Sequence, residues 1–483
     1  MKKTIRLFLG LVVALLIFII IKTVLFSSLQ VKPESATLPV LGNESVGNLS
    51  KAITFPTISY GINSPVDTIA FNGFHKFISE AYPLIHSKLT KETISNFSLL
   101  YTWQGENPTL KPVILMAHID VVPAGEVKSW TKPPFSGAND GTYIWGRGTL
   151  DDKGEMIMIL EAVEKLLKEN YPLERTIYLA FGHDEEISGL KGAQVIASIL
   201  KSRGVEAEYV LDEGYAVTIG MVPMISKPVA LIGTSEKGYV SVNMTVELPG
   251  GHSAYPERET SITVLTKALN NIVDNQMKAD ISKPIADFIR YIGPEMPFYA
   301  RTIFANKWLF KPVILKIYQG SNTSNAMVRT TTAPTIISAG SKDNVIPTKA
   351  EAVVNFRTLP GETSSDVTKH LKNVISDDRV IISKLEGTTE PAAVSPVDGL
   401  GFKTLLKTIR QIYPEAIIAP TMLVVASDSR KYIELTRNIY NFAPIVVTAE
   451  DRARTHGLNE RIKIEDYKQG ITFYYQLIKN GNN

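Results

Sequence analysis

Apolar positions along the chain keep more than one rhythm. Residues 97–103, 113–117, 177–181 and 209–211 are short runs rich in Val, Ile, Leu and aromatic side chains, and they read as strands. Between them, Met156, Ile157, Leu160, Val163, Leu166 and Leu167 recur at helical spacing. They predict a helix over 153–170, ended by Pro172. A second helix is expected at 189–202, closed by Gly204, and an earlier helical pattern covers 64–86. Strand and helix thus alternate. That order predicts a largely parallel sheet with helices on both faces.

Near residue 236 the rhythm changes. Residues 239–248 alternate in period two, the mark of a strand with one solvated face. A helix at 258–275 follows, then a Pro-rich aromatic stretch at 284–325 that includes Phe288, Tyr291, Phe298, Tyr299, Phe304, Trp308 and Phe310. This stretch reads as core packing or a membrane-facing surface, with a hydrophobic acyl site as the alternative. Strands at 334–339, 350–357 and 379–385 and a helix at 364–376 complete an α+β unit. The alternation returns after a linker at 391–396, with helices at 399–412, 429–440 and 463–479 and strands at 420–426 and 445–448. The expected fold is α/β: a mixed, mostly parallel sheet flanked by helices, split into 51–235 and 391–483 by an inserted α+β domain at 236–390.

The N-terminus fits neither rhythm. Lys2, Lys3 and Arg6 precede an apolar run at 7–21, continued after Lys22 by Val24, Leu25 and Phe26. Its length suits a membrane span or a signal-peptide core. No small-residue cleavage pattern follows at 25–30, so residues 1–26 are expected to form an uncleaved signal anchor. Secretion after cleavage is the alternative. The basic residues ahead of the run place the N-terminus in the cytoplasm and the rest outside it, in a periplasmic, extracellular or lumenal space. Residues 27–50 are polar and irregular and read as a stalk.

Composition narrows the chemistry. The 483 residues carry a net charge of +3, which gives no reason to expect a nucleic-acid partner. There is no cysteine, so disulfides, thiolate nucleophiles and Cys-ligated metal are excluded. A metal site here must be built from His and carboxylates.

Such residues stand at the predicted strand ends. His118 and Asp120 follow the 113–117 run, and a carboxylate beside a metal-bound His fixes its tautomer. Asp151 lies in a Gly-rich turn at a helix start. Glu185 and Glu186 are adjacent, so one can bind metal while the other faces the substrate water. Asp212 repeats the strand-end carboxylate, and His456 lies far along the chain after another strand. Two His and three carboxylates suit a pair of divalent ions, with the remaining Glu as general base. Asp152 and Glu213 read as supporting or structural residues, His183 as structural, and His75, His86 and His370 as surface or packing residues.

The segments His118-x-Asp120, Gly146-Arg-Gly-x-x-Asp151-Asp-Lys-Gly154, Asp184-Glu185-Glu186 with Gly189, Asp212-Glu-Gly214, Gly250-Gly-His252-Ser, Asn344-Val-Ile-Pro347, Asn355-Phe-Arg357 and His456-Gly form an ordered set. Over residues 50–480 the set resembles the co-catalytic zinc peptidases of the aminoacylase/carboxypeptidase G2-like family. The Asp151-Asp-Lys-Gly154 form and residues 228–239 look most like the carboxypeptidase S and N-fatty-acyl amino acid synthase/hydrolase branch. The resemblance implies a zinc-exopeptidase-like catalytic domain with an inserted lid or dimerisation domain, and a homodimer formed through it. It implies one Zn2+ on His118 and Asp212, another on Glu186 and His456, and Asp151 bridging both. Co2+ or Mn2+ would also suit these ligand types. It further implies Glu185 as general base, Asp120 orienting His118, a cis Asp151–Asp152 peptide, and His252 stabilising the oxyanion. Arg357 would grip the substrate carboxylate, with a plain salt-bridge role as the alternative, and Asn344 would contact substrate.

The expected activity is therefore hydrolysis of an amide bond next to a free carboxylate, in a peptide or an N-acyl amino acid. A dipeptidase on the same scaffold is the runner-up. A non-catalytic binding protein is disfavoured, because no ligand position and no base is missing.

Overall fold

The computed structural model describes residues 1–482. Among them a ten-stranded mixed sheet forms the main body. At its centre, Val113–His118 runs parallel to Ile177–Gly182 on one side and to Tyr209–Asp212 on the other. The register sets His118 opposite Gly182 and Leu115 opposite Leu211. All three strands therefore stop at one edge of the sheet, which is where an α/β fold gathers its chemistry.

The Lys153–Lys168 helix is buried along nearly its whole length. It packs between this sheet and the last helix, Ile464–Asn480. Gly470 makes the close approach possible, since a Cβ there would lie 2.3 Å from the Met158 sulfur. On the opposite face Ala193–Ser202 covers Leu100, Ile114, Met116 and Val210.

The inserted sheet has four antiparallel strands in the order Thr331–Ala339, Lys349–Thr358, Gly238–Glu247, Val380–Lys384. Helices Ser261–Asp274 and Ser364–Ile375 pack on one face, around Val242, Met244, Val354 and Phe356. The period-two reading of 239–248 is thus matched by alternating burial. Thr331–Ala339 is an edge strand, exposed along most of its length.

Several expectations need correction. The 64–86 pattern forms two helices, Thr68–Ala81 and Pro83–Lys88, because Pro83 cannot continue the first and starts the second. The stalk reading of 27–50 fails at its end. Glu44–Ile53 is a helix that buries Val46, Leu49 and Ile53 against the core. Its remainder is strapped to the body: Gln30 exchanges hydrogen bonds with both backbone groups of Ile418. The expected helix at 429–440 is only a short 3-10 turn, Asp428–Tyr432, followed by the strand Ile439–Asn441. There the parallel ladder to Tyr209–Asp212 outweighs the local helical spacing.

The aromatic stretch folds into the helices Lys283–Ile292, Phe298–Ala305, Lys307–Tyr318 and Asn322–Val328. The first packs on Ile417–Leu423 of the main sheet, and Tyr291, Ile292, Met296 and Ala300 join the main core. The N-terminal helix, Lys2–Leu25, is the one helix among the described residues long and apolar enough to cross a membrane.

Candidate metal centre

His118 ends its strand with its ring turned toward the Gly-rich turn at 146–151. Its Nε2 lies 2.9 Å from Asp151 Oδ1 and 3.4 Å from Glu213 Oε1. Its Nδ1 faces the Asp120 backbone oxygen at 2.9 Å, with Asp120 Oδ1 at 3.4 Å. His456 arrives from the far end of the chain. Its Nε2 lies 2.9 Å from Asp151 Oδ2 and 3.1 Å from Glu186 Oε2. Asp151 thus turns one carboxylate oxygen to each histidine. The donor atoms form two groups, His118 with Asp151 and Glu213, and Asp151 with Glu186 and His456, each spanning no more than 4.8 Å.

The loops that carry these groups are held by buried carboxylates. Asp120 accepts the backbone N–H groups of Glu185 (3.1 Å) and Glu186 (3.2 Å). Asp184 accepts those of Lys191 and Gly192, both at 2.7 Å, which folds the chain back after the glutamate pair. Gly189 is required in that turn, having φ +64° and no room for a Cβ beside Asp428. Asp152 accepts the His118 N–H at 3.2 Å. The Asp151–Asp152 peptide is cis.

Glu460 shapes the bridging turn. It accepts N–H groups from Gly148 (3.0 Å), Leu150 (2.8 Å) and Asp151 (3.3 Å), and pairs with Arg147 at 2.5 Å. Both members of that pair are fully buried. Sequence reading missed Glu460, because nothing local marks a glutamate that acts on a turn 310 residues away.

Much negative charge is concentrated here. Burial pushes the Glu185 carboxyl well above the usual glutamate range. Burial, and then the charge of Asp151, push Glu213 up to about 7. Burial opposes protonation of His118, but its bonds to Asp120, Asp151 and Glu213 overcome that and raise it well above the usual histidine value. Bonds to Asp151 and Glu186 push His456 up to about 10. Glu186 Oε1 is buried with no hydrogen-bond partner. Oxygen and imidazole donors aimed at common points, in a setting that favours added positive charge, fit a pair of divalent cations.

The structure brings His118, Asp120, Asp151, Glu185, Glu186 and His456 to one place. It does not bring Asp212 into either donor group. Asp212 Oδ2 instead accepts the Ser429 N–H at 2.8 Å, behind the strand end. Its neighbour Glu213 stands beside His118. Asp212 is the last residue of its strand, and Glu213 lies in the bend that follows, where its longer side chain reaches His118.

The three expected substrate residues lie on the inserted domain. Gly251–His252 pairs with Val345–Ile346, and Asn344 oxygen accepts the Ser253 N–H, so His252 and Asn344 share one exposed ribbon. Arg357 sits at the other end of the inserted sheet, opposite Tyr239 and 4.7 Å over its ring. Burial, with Arg430 of the main body nearby, makes the Arg357 charge less favourable than usual.

The model of peptidase family M20/M25/M40 matches residues 114–480. The chain is 41% identical over 482 residues to probable carboxypeptidase S-like 2 of Dictyostelium discoideum, covering 98% of this chain and 93% of that one. It is 40% identical over 440 residues to the N-fatty-acyl-amino acid synthase/hydrolase PM20D1 of Homo sapiens, covering 90% and 87%. In fold it is similar to the M20 family metallo-carboxypeptidase Sso-CP2 of Sulfolobus solfataricus, with TM-score 0.66 at 19% identity, over 91% of this chain and 100% of that one. Human carnosine dipeptidase 1 shares the fold with TM-score 0.59 at 16% identity, over 91% and 96%. This chain belongs to peptidase family M20/M25/M40 and is an enzyme of the metallopeptidase and amidohydrolase kind.

Proposed function

We propose that the chain hydrolyses an amide bond next to a free carboxylate, in a C-terminal peptide bond or an N-acyl amino acid, using two divalent cations, Zn2+ in the first instance. The observation that carries this reading is Asp151, which offers one oxygen toward His118 and the other toward His456. His118, Asp151 and Glu213 would hold one cation, and Asp151, Glu186 and His456 the other. The chemistry such a pair supplies is an acidified water and a polarised amide carbonyl.

The remaining steps belong to side chains. Glu185 takes a proton from the attacking water and returns it to the leaving nitrogen. A carboxyl raised by burial suits both halves of that task. Asp120 keeps Glu185 in place through the backbone. Arg357 grips the substrate carboxylate, whose charge would offset the unfavourable setting of its guanidinium beside Arg430. His252 donates to the carbonyl oxygen as charge builds on it, with Asn344 beside it. His252 is exposed on the inserted domain, and a homodimer joined through the open edge strand Thr331–Ala339 brings it to the centre of a second chain. The N-terminal helix acts as a signal anchor, which leaves the catalytic body on the extracytoplasmic side.

The test is turnover of a substrate panel before chelation, after it, and after Zn2+ is returned. An N-acyl amino acid and a peptide with a free C-terminus should be cleaved, and a methyl-esterified C-terminus should be poor. Cleavage confined to free dipeptides with an unblocked amine would replace this reading with a dipeptidase.

A further inference from the structure

The N-terminal helix does not leave the folded body at its last residue. Its final turns are docked. Ile19 and Thr23 are its buried residues. The Asn306 amide donates to Ile19 oxygen (3.2 Å) and to Thr23 Oγ1 (3.3 Å). Arg301 donates to Val24 oxygen (3.2 Å), and Arg290 to Ser27 oxygen (3.0 Å). Phe18 meets Trp308 edge to face at 6.0 Å between centroids. Phe26 lies against Gly293, where a Cβ would come within 2.6 Å of its ring.

These contacts fix the height of Phe298–Ala305 and Lys307–Tyr318 along the anchor. Asn306 joins the two short helices and touches the anchor at Ile19. At 1.5 Å per residue that point is about 9 Å inside the anchor's end at Leu25. Amphipathic helices that lie in a bilayer surface bury their apolar side by about 5–10 Å. With Leu25 at the bilayer surface, that distance falls within the depth such helices occupy.

The exposed surface of the pair has the matching chemistry. Phe298, Tyr299, Trp308, Val313 and Ile317 are between 45% and 63% exposed. Residues 298–318 contain Arg301, Lys307, Lys311 and Lys316 and no Asp or Glu. Lys311 pairs with Asp280 at 2.5 Å, and exposed aromatic and aliphatic side chains with the other basic groups beside them suit the boundary between acyl chains and headgroup phosphates. The patch is also continuous with the lipid-facing side of the anchor.

We propose that the helices Phe298–Ala305 and Lys307–Tyr318 form a shelf embedded in the outer leaflet of a phospholipid bilayer. The shelf fixes the catalytic body against the membrane surface instead of leaving it on a flexible stalk. The inference rests on the N-terminal helix spanning the membrane, and the test separates the two.

The full chain is reconstituted in phosphatidylcholine/phosphatidylserine vesicles whose acyl chains carry bromine, a short-range quencher of indole fluorescence. Of the four tryptophans, Trp103, Trp130 and Trp145 are buried in the main body and Trp308 is 53% exposed. The expected result is that bromolipid quenches one component of the emission and that W308F removes that component. Aqueous iodide should leave it untouched. W308F keeps a ring against Phe18, and unchanged turnover reports an intact fold. Quenching of Trp308 by iodide, or shielding from both quenchers by a protein surface, overturns the shelf. Alkaline carbonate extraction reads the anchor separately. A chain that resists extraction with a lipid-silent Trp308 loses the shelf alone, whereas a chain that is extracted loses both.

Discussion

The two wings of the candidate metal centre are built from different materials. The His118 wing rises from strand ends at the middle of the sheet, and His118, Asp120 and Asp151 are all buried. The His456 wing stands on connecting segments. His456 follows the short helix Ala449–Arg454 in a left-handed conformation, φ 58°, with its side chain 54% exposed, and Glu186 lies in a 3-10 turn. Sheet register holds the first wing before any ion arrives. The second depends on loops that hydrogen bonds must hold, and such segments open at lower cost. Asp151 belongs to both wings, and Glu460, four residues beyond His456, clamps the turn that carries it. The rigid wing is therefore tied to the chain segment of the open one.

The largest expected effect breaks neither wing. Glu185→Gln keeps both donor groups and removes the proton acceptor, so kcat should fall by about 10²–10⁴-fold with metal content unchanged. Full turnover with full metal would remove Glu185 from the mechanism. Next comes the tie between the wings. Glu460→Ala leaves Arg147 buried and unpaired and strips acceptors from the 146–151 turn. A loss of about 3–5 kcal/mol is expected in urea unfolding, together with weaker metal retention. A loss confined to surface-pair size would mean that the turn holds itself.

Chelation sharpens the comparison kinetically. Removal of metal should be biphasic, with the faster phase belonging to the His456 wing, and His456→Ala should delete that phase and spare the slower one. The smallest effect is on pH. In the proposed mechanism Glu185 works as the ionised base, and burial raises its pKa, so activity is expected above that raised value and should be lost as pH falls through it. The acidic limb of kcat/KM should lie above about 4.3, the ordinary glutamate value, and should vanish in Glu185→Gln.

How far the sequence reached does not follow the same division. The donors at strand ends are legible in either wing because strand ends are written in apolar runs: the 113–117, 177–181 and 209–211 runs end at one edge, and His118 of the buried wing and Glu186 of the open one follow directly. The register between adjacent residues was harder. At 212–213 the strand-end Asp212 is the residue that sequence reading favours, whereas the structure sets Asp212 against the Ser429 N–H and Glu213 beside His118. His456 stands out as a histidine after a late strand, and its pairing with Glu186 is what the family resemblance implies, since a turn residue at the far end of the chain has no periodicity. Glu460 has neither motif nor period, and its role exists only through backbone donors that meet it in three dimensions. The strand Ile439–Asn441 was hidden for a related reason, being specified by its partner Tyr209–Asp212 more than by its own residues.

The bridged pair with Glu213 in the buried wing is tested most directly by counting metal. Elemental analysis of the zinc-loaded chain after exhaustive dialysis should give two equivalents in the wild type, about one in Glu213→Ala, and two in Asp212→Asn, whose hydrogen bond to Ser429 is kept. One equivalent in the wild type, or two in Glu213→Ala with the loss appearing in Asp212→Asn, would contradict the assignment.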